Sequence, residues 1–416
     1  MASPSSDRLA VCGGKPVHTR PWPAWPMHDD RERDALLAVL ESGKWWYGER
    51  VREFEEKFAA FQDARFGISC TSGTTALELA LIAAGIGAGM EVIVPPYTFV
   101  ATVAAVLKAN AVPVFVDIEL DTLNLDAGQV EAAITEKTAA ILPVHFAGLP
   151  ADMDRLRDIA ARHKLRLIED AAHAWGTKWR GKGAGAIGDL GGFSFQASKN
   201  LTAGEGGIVL TDDPGLAATA RSLSNVGRGQ DAPWYEHYLT GGNARMTEFQ
   251  AALLLAQLTR LPEHIERRAR NAALLNDGLA AIEGLHPIRE EPRATRRSYH
   301  LYCLRLVEEE FGLSRDRFVE AIRAEGIPAS PGYDQPLYRT ALFQRKGTGP
   351  AYCPVSCPYH GEAPDYTRVV CPNAERACRE MVWFFQPMLL GTEDDMGDIV
   401  AAARKIRRGV AQLRKA

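Results

Sequence analysis

Between residues 51 and 210, short β-rich apolar runs alternate with stretches of helical spacing, the pattern of a mostly parallel sheet covered by helices. Residues 92–94, 114–116, 141–144 and 165–168 are near-continuous apolar segments, as strands buried on both faces require. Between them Leu77, Ala80, Leu81 and Ala84 keep helical spacing, as do Met153, Leu156, Ile159 and Ala160, so each set predicts a helix with one face on the sheet. Beyond residue 241 the pattern changes. Residues 246–258 and 265–279, rich in Ala and Leu, predict long helices. A β-rich run at 299–307 then precedes helical patterns at 318–325 and 375–384. The expectation is an α/β protein with a large sheet domain, residues 1–270, and a smaller C-terminal α+β domain, residues 271–416. Residues 346–372, rich in Gly, Pro and Tyr, predict a long ordered loop of the kind that often serves function.

A chain of 416 residues suits two domains, and 46% hydrophobic with 24% charged residues excludes general disorder. A formal net charge of -4 gives no field for nucleic acid or anionic lipid, so any anionic ligand must be met by local groups. No stretch approaches the roughly 20 apolar residues of a membrane helix. A cytoplasmic protein with no membrane or nucleic-acid partner is expected. Seven cysteines, an odd number spread from Cys12 to Cys378, do not form a disulfide framework and are expected as reduced thiols.

Four separated elements carry chemistry. Ser72, Gly73, Thr74 and Thr75 lie between the run 67–70 and a helix beginning near Ala76. Amides and hydroxyls gathered at a helix N-terminus bind an anion, although a plain N-cap is the ordinary account of a lone Ser-Gly-Thr, which alone decides little. Asp170 and His173 follow the apolar run 165–168, at the carboxyl end of a strand, where ligands of such sheets bind. A carboxylate there can pair with a protonated pyridine nitrogen and keep the ring an electron acceptor; a helix cap and a satisfied polar edge residue are the plainer roles for the two side chains. The third element, Ser194-Phe195-Gln196-Ala197-Ser198-Lys199-Asn200, runs into Gly204-Glu205-Gly206-Gly207. A lysine after a short strand, among hydroxyls and glycines that admit a ligand, suits a Schiff base better than a solvated surface position. The fourth, residues 241–246 with Asn243 and Arg245, is by composition a Gly-rich turn entering a helix.

With Gly13-Gly14-Lys15-Pro16, Pro96-Tyr97-Thr98-Phe99, Glu169-Asp170-Ala171-Ala172, Lys199-Asn200-Leu201-Thr202 and Cys371-Pro372-Asn373-Ala374-Glu375, the chain resembles the DegT-type sugar aminotransferases. These belong to the fold type I pyridoxal 5'-phosphate superfamily, and the resemblance spans nearly the whole chain. It implies that Lys199 holds the cofactor as a Schiff base, Asp170 pairs with the ring nitrogen, Phe99 stacks on the ring and His173 lies near the ring oxygen. It further implies that Thr74, Thr75 and Ser194 bind the phosphate and that Asn243 reaches the cofactor of a neighbouring subunit, in a homodimer with composite sites. A related sugar dehydratase has histidine in place of the lysine, so Lys199 points to transamination.

Many relatives acting on nucleotide-linked sugars have His where Gln196 stands. Glutamine there resembles the branch of cyclitol aminotransferases, whose ketones include scyllo-inosose and 2-deoxy-scyllo-inosose, and of amino-hydroxybenzoate synthases. Gly332-Tyr333, Pro336-Leu337-Tyr338 and residues 383–390 look like that branch as well. The resemblance implies a ping-pong reaction in which L-glutamine or L-glutamate supplies the amine, a cyclitol or sugar ketone receives it, and Lys199 moves the proton. Trp45, Trp46 and Tyr47, after a helix predicted at 30–41, are candidates for the acceptor pocket, with a core or subunit-interface cluster as the equal alternative.

Cys353, Cys357, His360 and Cys371 invite a zinc site, but their spacing is irregular and no metal is expected. The basic tail 404–415 has apolar Ile406, Val410 and Leu413 at helical spacing and predicts an amphipathic surface helix. A nucleotide-linked keto sugar is the alternative acceptor. A cofactor-binding regulator without turnover is the alternative to an enzyme.

Overall fold

The computed structural model describes residues 8–229, 233, 235–344, 359–361 and 364–413. Seven strands form one sheet in the order Phe66–Cys70, Gly207–Thr211, Leu190–Ser194, Arg166–Asp170, Thr138–Ile141, Glu91–Val94 and Val112–Phe115. Gly207–Thr211 runs antiparallel to both neighbours; the other pairings are parallel. Apolar side chains from the two faces feed separate clusters. One holds Ile68, Leu77, Val92 and Val103, and another holds Phe54, Phe58, Phe193 and Leu254. Burial on both faces explains why the strands are apolar runs rather than alternating ones.

The expected helices over Leu77 and Met153 form as Gly73–Ala83 and Met153–His163, and the later pair as Glu248–Leu258 and Leu261–Ala280. Two expectations shift. The strand placed at 141–144 is Thr138–Ile141, because Pro143 has no N–H for the ladder; Leu142 and Val144 stay buried just past its end. Residues 375–384, expected as one helix, divide into the helix Pro372–Glu380 and the strand Met381–Phe385. The run Met-Val-Trp-Phe-Phe suits a pleated, buried surface better than a helix, and it pairs antiparallel with Leu301–Leu306.

That strand, Leu301–Leu306 and Leu285–Pro287 make a second, antiparallel sheet. Leu275, Phe318 and Ile399, from three helices, share a core with it that also takes in Leu9. His18 and Arg20 fasten this N-terminal stretch to the start of the helix Glu393–Arg408, with Arg20 at 2.8 Å from Asp395 and 2.7 Å from Asp398. Ile406, Val410 and Leu413 are buried along the basic tail. Residue 270 lies within the helix Leu261–Ala280. Among the described residues no helix is long and apolar enough to cross a membrane. Cys353 and Cys357 of the candidate zinc set, with residues 346–358 of the expected loop, lie outside the described residues. His360 meets Glu91 at 3.0 Å, and Cys371 is buried before the helix Pro372–Glu380.

Candidate active site

The carboxyl ends of five strands that run in one direction open on a cavity of about 720 Å³. Ser72, Gly73 and Thr74 line it after the first strand, and Phe99 after the second. Asp170 and His173 come from the end of Arg166–Asp170, and Ser194, Gln196 and Lys199 from the end of Leu190–Ser194.

Ser72 is the N-cap of the helix Gly73–Ala83 and its hydroxyl accepts the Thr75 amide at 3.2 Å. Gly73 and Thr74, the first residues of the helix, line the cavity, and amides at a helix start suit negative charge. Gly73 is required by packing: a Cβ there would stand 2.6 Å from Ser194 Cβ. Thr75 does not line the cavity; its hydroxyl turns to Ser72 and Thr71, at 3.0 and 3.2 Å.

Asp170 is buried, and burial pushes its carboxyl above the usual range. Three influences oppose that push: the Thr102 hydroxyl donates to Oδ2 at 2.7 Å, the Ala172 amide to Oδ1 at 3.1 Å, and the Lys199 charge acts from across the cavity. Lys199 is half-buried, and desolvation pushes its amine down to about 8, against the pull of Asp170. A lysine amine with a lowered pKa and a carboxyl raised by burial, the rise opposed by its hydrogen bonds, therefore face one space.

His173 Nδ1 accepts the Ala147 amide at 3.3 Å. A backbone N–H can only donate, so the proton of the neutral ring sits on Nε2 as a donor. Burial and the nearby Lys199 charge hold this imidazole far below its ordinary range, hence neutral. His300 lies tilted against it at 4.2 Å between centroids and bonds Asn200 Oδ1 at 3.0 Å. Gln196 turns its Oε1 to the Ser198 amide and hydroxyl, at 2.8 and 2.7 Å, and its Nε2 has no partner among the described residues. Tyr333 lines the cavity in an aromatic wall with Tyr97 and Trp383, at 5.2 and 4.8 Å. Phe99 remains 59% exposed at the cavity, a bare aromatic face that a planar ring would cover.

Trp45, Trp46, Tyr47 and Asn243 do not line this cavity. Tyr47 is tied into the protein, accepting from Arg221 at 2.6 Å and meeting Glu55 at 3.1 Å. Trp45 and Trp46 are 52% and 62% exposed, and Arg245 stands 5.5 Å over the Trp46 ring. Trp46 and the turn that carries Asn243 and Arg245 thus meet away from this cavity. Thr102, His300 and Trp25, at or beside the cavity, are not singled out by the sequence, and Gln386 enters it only within the run 383–390. Of the first three only Thr102 left a signal, its four-residue spacing from Thr98, whose hydroxyl it meets at 2.9 Å.

An anion seat at a helix start, a buried carboxylate and a poised amine fit a phosphorylated cationic ring that carries an aldehyde. A model of the DegT/DnrJ/EryC1/StrS aminotransferase family matches residues 26–403. The chain is 43% identical to the L-glutamine:2-deoxy-scyllo-inosose aminotransferase of Streptomyces paromomycinus, over 97% of this chain and 99% of that protein. It is 40% identical to the 3-amino-5-hydroxybenzoate synthase of Amycolatopsis mediterranei (strain S699), over 92% of this chain and 97% of that one. A crystal structure of 3-amino-5-hydroxybenzoic acid synthase superposes with a TM-score of 0.85 at 38% identity, covering 95% of this chain and 100% of that chain.

Proposed function

The chain belongs to the DegT/DnrJ/EryC1/StrS aminotransferase family, and we propose that it uses pyridoxal 5'-phosphate to move an amino group from L-glutamine or L-glutamate to a cyclitol ketone such as 2-deoxy-scyllo-inosose. The observation that carries this proposal is the placement of Lys199 and Asp170 in one cavity, each altering the proton equilibrium of the other. The named relatives supply the donor and acceptor classes.

When bound, the cofactor supplies an electron-accepting pyridinium that lets a substrate carbon lose its proton. The protein's own groups do the rest. The amides of Gly73 and Thr74, with the Thr74 and Ser194 hydroxyls, hold the phosphate. Asp170, whose hydrogen bonds from Thr102 and Ala172 oppose the upward push of burial, would pair with the ring nitrogen and keep it protonated. His173, with its proton on Nε2, would offer a donor to the cofactor, and Phe99 would offer it an aromatic face. Lys199 is the residue that would hold the cofactor's aldehyde, and once free its neutral Nζ would serve as the base and acid that moves a proton between substrate carbon and cofactor. Gln196 and Tyr333 face the acceptor, whose ring hydroxyls match the free Gln196 donor and whose apolar face matches the aromatic wall.

A homodimer is part of this proposal: Asn243, Trp45 and Trp46 stand exposed on one surface, away from their own cavity, and are assigned to the partner's site. So is a division near residue 270, with the cofactor held mainly by residues 1–270. Charging the enzyme with glutamine and then offering competing ketones tests the acceptor. Discharge by 2-deoxy-scyllo-inosose ahead of nucleotide-linked keto sugars supports the proposal, and the reverse order overturns it.

A further inference from the structure

Arg268, on the helix Leu261–Ala280, is fully buried, and no carboxylate pairs with it among the described residues. Burial without a counter-charge pushes the guanidinium down to about 9, and it still remains charged at neutral pH. A buried cation kept without a partner acid is costly, so its contacts show what it serves. Its Nε donates to the Gln386 carbonyl at 3.3 Å, and an Nη donates to Gln386 Oε1. A guanidinium can only donate, so the Gln386 amide oxygen must face it and the Nε2 must face away. That Nε2 points to the Ser198 carbonyl at 3.4 Å. On its other side Arg268 lies 5.6 Å from the centre of the Trp25 ring, and Trp25 Nε1 donates to the Ala197 carbonyl at 3.0 Å.

Two carbonyls directly before Lys199 are therefore held by side chains from the N-terminal stretch and from the end of the strand Met381–Phe385, and both of those side chains rest on one arginine. We propose that Arg268 is a positioning residue, which through Trp25 and Gln386 holds the backbone at Ala197 and Ser198 and so fixes where Lys199 stands. The proposal rests on Lys199 as the cofactor lysine. A purely structural role for Arg268 would be to join its helix to the turn after Gln386. Asn271, one turn along, does that job too, donating to the Leu389 and Gly391 carbonyls at 2.8 and 3.0 Å, but it has no line to residues 197–198.

The test compares Arg268→Met, Arg268→Lys and Asn271→Ala holoenzymes by hydrogen exchange of the Ser198 and Lys199 amides, which bond within the loop. Arg268→Met should speed that exchange about tenfold or more, Arg268→Lys by less, and Asn271→Ala not at all even where its melting temperature falls as far. In Arg268→Met, kcat should fall about tenfold with the acceptor KM unchanged, as misplacement of a catalytic group predicts. Arg268→Met/Gln386→Leu should be no slower than the worse single variant. Unchanged exchange at 198–199, equal acceleration in Asn271→Ala, or additive losses in the double variant overturns the proposal. If Arg268→Met does not fold, Arg268→Lys against Asn271→Ala carries the same comparison. Borohydride trapping of the cofactor on Lys199 in the wild type tests the underlying assignment separately: label on Lys199 with unaltered loop exchange removes the clamp alone.

Discussion

The Thr102 hydroxyl donates to Asp170 Oδ2 at 2.7 Å, inside a site whose burial drives that carboxyl toward its neutral form. A hydrogen bond to a charged group contributes about 1.5–3 kcal/mol. Thr102→Val removes the donor and keeps the shape, so Asp170 holds its proton to higher pH and pairs less well with a cationic ring. We predict kcat/KM lower by about tenfold or more and weaker cofactor binding, measured by steady-state kinetics and cofactor titration. Wild-type values for both would remove Thr102 from the site.

The Lys199 amine should titrate at about 8 in the apo protein, well below the 10.5 of a free lysine. Between those values the unfolded chain carries a proton that the folded chain has released, so this group's contribution to stability rises with pH through that window. Labelling of Lys199 by an amine-reactive probe, followed against pH, should level off just above 8. Asp170→Asn removes the charge that raises the amine, and the midpoint should fall further. A midpoint near 10 in the folded protein would contradict the proposed environment.

Much of this site was legible because parallel strands deliver their carboxyl ends to one edge. Apolar runs placed Asp170 and Lys199 there, and the small residues after 66–70 marked the anion seat. Thr102 was hidden because its partner lies 68 residues away and a lone Thr in an apolar helix resembles core. Trp25 and Gln386 were hidden for the same reason, since their meeting with residues 197–198 is a product of tertiary folding. The helix and strand over 372–385 were fused in the sequence because no turn residue separates Glu380 from Met381. Asn243 and Trp46 differ in kind: neither lines the cavity of its own chain, so a role there rests on the proposed homodimer.

Gly73→Ala should harm cofactor binding more than folding. The new methyl would meet Ser194 Cβ at 2.6 Å, so the helix start or the strand end must move, and both belong to the anion seat. Overpacking of this sort costs about 1–3 kcal/mol. Titration should show a cofactor Kd raised about tenfold; a wild-type Kd would show that the cradle is not where the phosphate rests.

Gln196→Ala separates the two halves of the reaction. The Gln196 amide nitrogen is the free donor and its oxygen is committed to Ser198. Amine transfer to the ketone should slow about tenfold, the loss of a bonded hydroxyl contact, while the first half-reaction with glutamine keeps its rate. Rapid-mixing measurements of each half-reaction give the answer, and equal slowing of both would mean that Gln196 serves the loop rather than the acceptor.

The most direct measurement is peptide mapping of protein loaded with pyridoxal 5'-phosphate and reduced with borohydride. Mass analysis should find one phosphopyridoxyl group per chain, on the peptide containing Lys199, and none in Lys199→Ala, which should fold as the wild type does. Label on a different lysine, or equal label in Lys199→Ala, would contradict the assignment of this cavity.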